Sequence, residues 1–138
     1  MVHITRRECF SAAHKLYNES WTKEQNDEVF GKCANPNWHG HNYIVYVTVK
    51  GKVKPETGYA ANLKTISNII KEFAIDKLDH KNLNLDVDFM QGVMPSTENL
   101  AKAIWEQIAE HIENLGCKMH CVKLCETENN YVEYFGEE

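Results

Sequence analysis

The run His39-Gly40-His41-Asn42-Tyr43-Ile44-Val45-Tyr46-Val47-Thr48-Val49 constrains this chain more than any other stretch. β-Branched and aromatic residues dominate it, which predicts a strand over 39–50. Side chains two apart on a strand share a face. His39, His41, Tyr43, Val45, Val47 and Val49 therefore line one side, with two imidazoles at its start and an apolar surface behind them. Gly40 adds no bulk to the other side. A fold that accepts this strand must cover the valines with an apolar layer and bring something to meet the two rings.

A second strand-like segment, residues 2–16, supplies a partner. Ile4, Phe10, Ala12 and His14 share parity in it. If the two segments are neighbours with these faces inward, and no β-bulge shifts the alternation, three imidazoles gather at one end of one core surface. Three histidines with a fourth position open form a common catalytic zinc set, so His14, His39 and His41 are the candidate ligands of a Zn2+ ion. His3, His111 and His120 lack that context and read as ordinary structural histidines.

The rest of the chain gives an α+β order. Residues 17–38 break the strand pattern. Thr22 there is placed to cap a short helix through Val29, ended by Gly31. This long connection delivers Cys33, and long connections inside a compact domain are often functional. Lys54-Pro55-Glu56-Thr57-Gly58 is a turn signature. Asn62 opens a helix running to about Leu78, with Leu63, Ile66, Ile69, Ile70 and Phe73 on one face. A polar link, 79–84, follows. Ser96 is the N-cap of a further helix, in which Leu100, Ile104, Ile108 and Ile112 recur at steps of four until Gly116. Strands over about 118–126 and 130–136 complete the chain, with Asn129-Asn130 at the turn between them. Strand-strand-helix-helix-strand-strand implies a four-stranded antiparallel sheet with two helices on one face, as a single domain over 1–138.

Other residues carry chemistry. Cys33 lies beside Lys32, and a nearby cation lowers a thiol pKa and makes thiolate available as base or nucleophile. Cys9, Cys117, Cys121 and Cys125 read as buried structural cysteines. Asp79 next to His80 is a carboxylate placed to orient an imidazole and raise its basicity. Glu126 ends the apolar face of Val122 and Leu124, where a carboxylate is costly unless N–H donors meet it. Glu98 falls in the first turn of a helix and by itself is explained by the helix dipole.

Net charge is −5, which argues against a nucleic-acid partner. No apolar run is long enough to span a bilayer, and the first residues lack the apolar core of a signal peptide, so no membrane role is expected. The five cysteines show no disulfide spacing, and a cytoplasmic location is the expectation. There is no G-x-G-x-x-G and no G-K-[ST] loop, so neither a dinucleotide nor a nucleotide phosphate site is expected.

Taken together, Phe10-Ser11-Ala12-Ala13-His14, Phe30-Gly31-Lys32-Cys33, Asn35-Pro36-Asn37, His39-Gly40-His41-Asn42-Tyr43, Leu78-Asp79-His80-Lys81-Asn82-Leu83, Ser96-Thr97-Glu98-Asn99 and Glu126-Thr127-Glu128-Asn129-Asn130 make the whole chain resemble the 6-pyruvoyl-tetrahydropterin synthases. The resemblance implies a tunnelling fold, in which three sheets join into a barrel and two trimers stack as a homohexamer. It also implies conversion of 7,8-dihydroneopterin triphosphate to 6-pyruvoyl-tetrahydropterin and triphosphate, in tetrahydrobiopterin biosynthesis. Carried over residue by residue, zinc falls to His14, His39 and His41. The catalytic thiol is Cys33, and the catalytic Asp-His pair is Asp79 and His80. Glu126 anchors the pterin, with Thr97 and Glu98 also lining its pocket. The active site of such enzymes lies between subunits. Lys32 and Lys81 are candidates for holding the triphosphate.

One departure is Trp38, where the family usually has glycine. Two alternatives stand beside the main reading. The 6-carboxy-tetrahydropterin synthases usually have three residues between the Cys and His-Gly-His, whereas five, Ala34 to Trp38, intervene here. A non-catalytic zinc or pterin-binding protein would have no use for Cys33, Asp79 and His80 together.

Overall fold

Strands β1 (Val2–His14) and β2 (His39–Gly51) form an antiparallel ladder that is unbroken from Val2 opposite Gly51 to His14 opposite His39. This ladder is the spine of the computed structural model, which describes residues 1–137. No bulge interrupts it, so the alternation read from the sequence holds. Phe10, Ala12, His14, Tyr43, Val45, Val47 and Val49 are all buried on the same side. Phe10 stacks on its cross-strand partner Tyr43, ring centroids 4.9 Å apart. An aromatic pair of this kind adds to the burial of both rings.

The sheet differs from the expected four antiparallel strands. Among the described residues it has five, in the order β3-β1-β2-β4-β5, and it is mixed. The additional strand, β3 (Lys81–Asn82), runs parallel to β1 opposite Ala12 and Ala13. Two residues are too few to show any period, so this polar link gave no strand signal. β4 (Lys118–Cys125) pairs with β2, and β5 (Tyr131–Tyr134) pairs with β4. A register shift against β4 falls at Thr48/Val49, at the end of β2 away from His39 and His41.

The two longer helical segments, 63–78 and 97–113, cover one face of the sheet. The short helix α1 (Lys23–Phe30) starts at Thr22, whose hydroxyl accepts from the Gln25 amide while the Gln25 side chain accepts from the Thr22 amide. This is a complete capping box. Asn62 caps α2 (Leu63–Ile70), which passes through a π-helical turn, Lys71–Ile75, into the last turn α3 (Asp76–Leu78). Ser96 caps α4 (Thr97–Glu113) through the Asn99 amide. Leu100, Ile104, Ile108 and Ile112 are fully buried. At roughly 1.5–3 kcal/mol each, they anchor α4 to the sheet. Leu63, expected on the buried face of α2, is exposed. That face is centred instead on Ile66, Ser67 and Ile70, with Ile69 and Phe73 at its margin.

Ser67 is buried because β1 carries a carboxylate on the core face. Ser67 Oγ donates to Glu8 Oε1 at 2.6 Å, and Arg6 Nε donates to the same oxygen at 2.9 Å. Burial pushes the Glu8 carboxyl up, but these two bonds together with the positive charges of Arg6 and Lys71 outweigh it and hold the group below its ordinary value. Cys117 and Cys121 are buried as expected, Cys125 is half-buried, and Cys9 is exposed on the side of the sheet away from the helices. Cys9 has the opposite parity to Phe10, which takes the place in the core. Among the described residues no helix is long and apolar enough to cross a membrane.

Candidate functional site

The end of the β1–β2 ladder carries the chemistry. His14 and His39 are cross-strand partners, and His41 sits opposite Ala12, two positions along on the same face. One nitrogen from each ring lies within 4.8 Å of the corresponding atoms of the other two. His14 is fully buried, and its Nδ1 donates to the Pro95 carbonyl at 2.7 Å. A neutral imidazole that donates from Nδ1 keeps a lone pair on Nε2. That Nε2 is 3.0 Å from His39 Nε2. His39 Nδ1 and His41 Nε2 are buried without a hydrogen-bond partner. Buried polar atoms are rarely left so. A metal ion drawing on this cluster would remove part of that deficit, and a backbone carbonyl holding the far nitrogen of a ligand histidine is the usual outer support of such a site. Burial depresses the His14 and His39 pKa values, which keeps both rings neutral and ready to ligate. The three residues fit a divalent cation.

Around the cluster stand Tyr43, Cys33, Glu126 and Thr97. The Tyr43 hydroxyl is 3.4 Å from His14 Nδ1, and burial pushes its pKa up, so the phenol stays protonated. Cys33 is in a 3₁₀ turn, Gly31–Ala34. Its carbonyl accepts from the Leu16 amide at 2.8 Å, which docks the turn beside the end of β1. The expected lowering of the Cys33 pKa by Lys32 does not occur. Burial and then the Glu126 carboxylate push the thiol up, while Lys32 is exposed. Glu126 follows β4 and accepts from Thr97 Oγ1 at 2.7 Å. Its other oxygen lies 3.8 Å from His41 Nε2, too far for a hydrogen bond. Thr97 is the first residue of α4, so the helix start and the strand end are tied together beside the imidazoles. Glu98, one residue further on, is exposed in the first turn of α4.

Asp79 and His80 are in contact with each other, with Asp79 Oδ2 3.0 Å from His80 Nδ1. Adjacent residues meet here because His80 is in the left-handed region, φ +61°. The backbone is stitched to β1 on both sides of the pair: Ser11 N–H donates to Asp79 Oδ1 at 2.9 Å, and His80 N–H donates to the Ser11 carbonyl at 2.6 Å. The Ser11 amide is the largest influence holding the Asp79 carboxyl low. The His80 side chain is 82% exposed. Within one chain this pair makes no contact with Cys33 or with the three imidazoles among the described residues. His80 and His41 do line one depression of about 520 Å³, together with Ser11 and Gly40.

Sequence reasoning did not find the Pro95 carbonyl that orients His14, nor the Ser11 backbone that holds Asp79. Both are main-chain groups, and only tertiary proximity reveals them. It did single out Trp38. That residue is also in the left-handed region, φ +67°, which explains why glycine suits the position. For a residue with a Cβ the conformation costs roughly 1–2 kcal/mol.

Comparison with known proteins agrees with this geometry. A family profile described as 6-pyruvoyl tetrahydropterin synthase matches residues 3–137. The 6-pyruvoyl tetrahydrobiopterin synthase of Dictyostelium discoideum is 44% identical over 136 residues, covering 99% of this chain and 97% of its own. The human protein of the same name is 44% identical over 134 residues, covering 97% and 91%. The solved structure of Caenorhabditis elegans 6-pyruvoyl tetrahydropterin synthase superposes with a TM-score of 0.91 at 34% identity, covering 99% of this chain and 96% of that one. With the family profile matching nearly end to end, and the histidine cluster standing where the shared motifs converge, this chain belongs to the 6-pyruvoyl tetrahydropterin synthase family.

Proposed function

We propose that this chain, as a single domain over 1–138, is a zinc-dependent 6-pyruvoyl-tetrahydropterin synthase. It converts 7,8-dihydroneopterin triphosphate to 6-pyruvoyl-tetrahydropterin and triphosphate in tetrahydrobiopterin biosynthesis, a carbon–oxygen lyase reaction on a phosphate ester. The observation that carries the reading is the His14, His39 and His41 cluster, with its buried unpaired nitrogens, beside the Thr97–Glu126 hydrogen bond.

His14, His39 and His41 would hold the ion. Bound zinc supplies Lewis-acid polarisation of the substrate's side-chain oxygens and positive charge that lowers neighbouring pKa values. Glu126 accepts the N–H donors of the pterin ring in a charge-assisted contact, with Thr97 fixing one of its oxygens. Glu98 lines the same pocket from the first turn of α4. Cys33 takes a proton from the side-chain carbon. His80 carries the second proton transfer: Asp79 holds its Nδ1–H, which leaves Nε2 to accept or donate. Oxidation and reduction occur within one molecule, so the reaction calls for no redox cofactor.

An assembly completes the site. The separation of Asp79–His80 from Cys33 within one chain supports an active site shared between subunits. Two open edges support a barrel of three sheets: β1 from Val2 to Phe10 is unpaired by β3, and β5 has no outer neighbour among the described residues. Pairing such edges between copies satisfies them. A hexamer of two stacked trimers follows from the resemblance. The five free cysteines fit a reducing, cytoplasmic location.

The test is triphosphate release from 7,8-dihydroneopterin triphosphate by zinc-loaded protein, wild type against Cys33→Ala. Wild type should turn over and the variant should lose 10²–10⁴-fold while keeping its metal, in line with loss of about one proton-transfer catalyst. Absence of triphosphate release by the wild type refutes the lyase reading.

A further inference from the structure

The two residues just outside the paired histidines are Lys15 and Trp38, and they touch. Lys15 Nζ lies over the Trp38 ring at 5.0 Å from its centroid and over the Tyr17 ring at 4.9 Å. His14 and His39 form the last partners of the β1–β2 ladder. The Lys15–Trp38 contact therefore stands one step beyond the ladder, where backbone pairing has stopped. The cation meets two aromatic faces at distances at which attraction is substantial.

Both residues are tethered. The backbone of Lys15 is held by the Asn84 side chain, which accepts from the Lys15 amide at 3.0 Å and donates to the Lys15 carbonyl at 3.0 Å. Trp38 closes a turn, its amide donating to the Asn35 carbonyl at 3.2 Å. It also has the left-handed backbone, φ +67°. Backbone strain of this kind persists where surroundings over-determine it, and such positions gather at functional sites. A bulky ring in that conformation, directly before a ligand candidate, is held by something other than local preference. The Lys15 cation over its face and the Trp38 amide bond to the Asn35 carbonyl are the contacts in place to hold it.

We propose that Lys15 and Trp38 form a positioning clamp that sets the spacing of the His14 and His39 imidazoles. Neither residue touches the metal. The clamp joins the segment leaving His14 to the segment entering His39, so loosening it lets the two rings drift apart. This rests on the metal reading of the histidine cluster.

A double-mutant cycle on the metal-free protein, titrated with zinc against a chromophoric chelator, tests it. Trp38→Asn keeps a residue that tolerates the left-handed region but removes the ring. Lys15→Met keeps the stem and removes the charge. Each single variant should weaken zinc binding about 5–20-fold, and the double variant should be no weaker than either alone. Trp38→Phe, which retains an aromatic face, should recover most of the affinity. The thermal transition of the metal-free protein, followed with the same variants, reports whether each is folded. Lys15→Met alone decides the matter if Trp38→Asn does not fold. Zinc affinity within twofold of wild type in folded Lys15→Met, or fully additive losses in the cycle, overturns the clamp. A wild type that binds no zinc overturns the metal reading instead, and the clamp with it.

Discussion

His14 and His39 stand directly opposite each other at the last step of the β1–β2 ladder, with their Nε2 atoms 3.0 Å apart. The Pro95 carbonyl occupies the far side of His14. Its pull fixes the tautomer, and burial keeps the ring neutral, so this buried end of the sheet presents lone pairs rather than charge.

That arrangement predicts a pH dependence for the metal-free protein. Burial lowers the His14 pKa from 6.5, and His39 moves the same way. The folded chain therefore binds these protons more weakly than the unfolded chain. The stability these sites contribute is complete above the unfolded value and is lost as pH falls through the folded values. The melting temperature should hold steady from pH 8 to about 7 and drop below about 6.5, with a shallower drop in His14→Gln. Identical profiles for the two proteins would show that His14 is not the group responsible.

Ser67 gives a prediction about stability alone. Its hydroxyl is one of two donors to a buried Glu8 oxygen. Ser67→Ala should destabilise the fold by about 1–2 kcal/mol in urea unfolding, with turnover per folded molecule unchanged. A neutral substitution would mean that Arg6 alone satisfies Glu8.

The Thr97–Glu126 bond predicts a binding effect. Thr97→Val removes the donor that orients the carboxylate without removing the carboxylate. KM should rise about 5–10-fold with kcat little changed, the signature of lost ground-state and transition-state binding alike. Glu126→Gln, which loses the charge as well, should be worse by at least a further tenfold, about 1.4 kcal/mol. Equal KM values for wild type and both variants would place the pterin elsewhere.

Asp79→Asn separates scaffold from proton transfer. An amide oxygen still accepts from the Ser11 amide, so the backbone stitch survives. The uncharged side chain no longer offers a carboxylate oxygen to His80 Nδ1. The expected result is a folded variant with a slightly lower melting temperature, because the charged acceptor of the Ser11 amide is lost, and kcat reduced about 10–100-fold per folded molecule. Loss of folding without a separate kinetic effect would make Asp79 structural.

Much of this was legible in the residues because it is periodic. Parity placed His14 with His39 and His41, since a period of two survives any ladder without a bulge, and the one irregularity falls at Thr48/Val49, clear of the site. Ser96 and the steps from Leu100 to Ile112 marked α4 because capping and a four-residue repeat are local properties. What was not legible depends on contacts far apart in the chain. β3 has only Lys81 and Asn82 and exists because β1 offers an edge. Leu63 looked like a core residue, but the buried face of α2 turned toward Ser67 to meet Glu8. Lys32 is the sequence neighbour expected to acidify Cys33, yet burial and the carboxylate of Glu126, far along the chain, push the thiol up, and neither is visible before the chain folds. The left-handed backbone of Trp38 is marked only by the glycine the family usually has there, and that of His80 has no local mark beyond the general tolerance of histidine for the region.

The most direct measurement is zinc per chain, by elemental analysis of purified protein dialysed against trace zinc, for wild type and for His14→Ala, His39→Ala and His41→Ala. Wild type should carry one ion per chain, and each single variant should lose binding while the fold, followed by circular dichroism, survives. Wild type without stoichiometric zinc, or His14→Ala holding zinc as tightly as wild type, would contradict it.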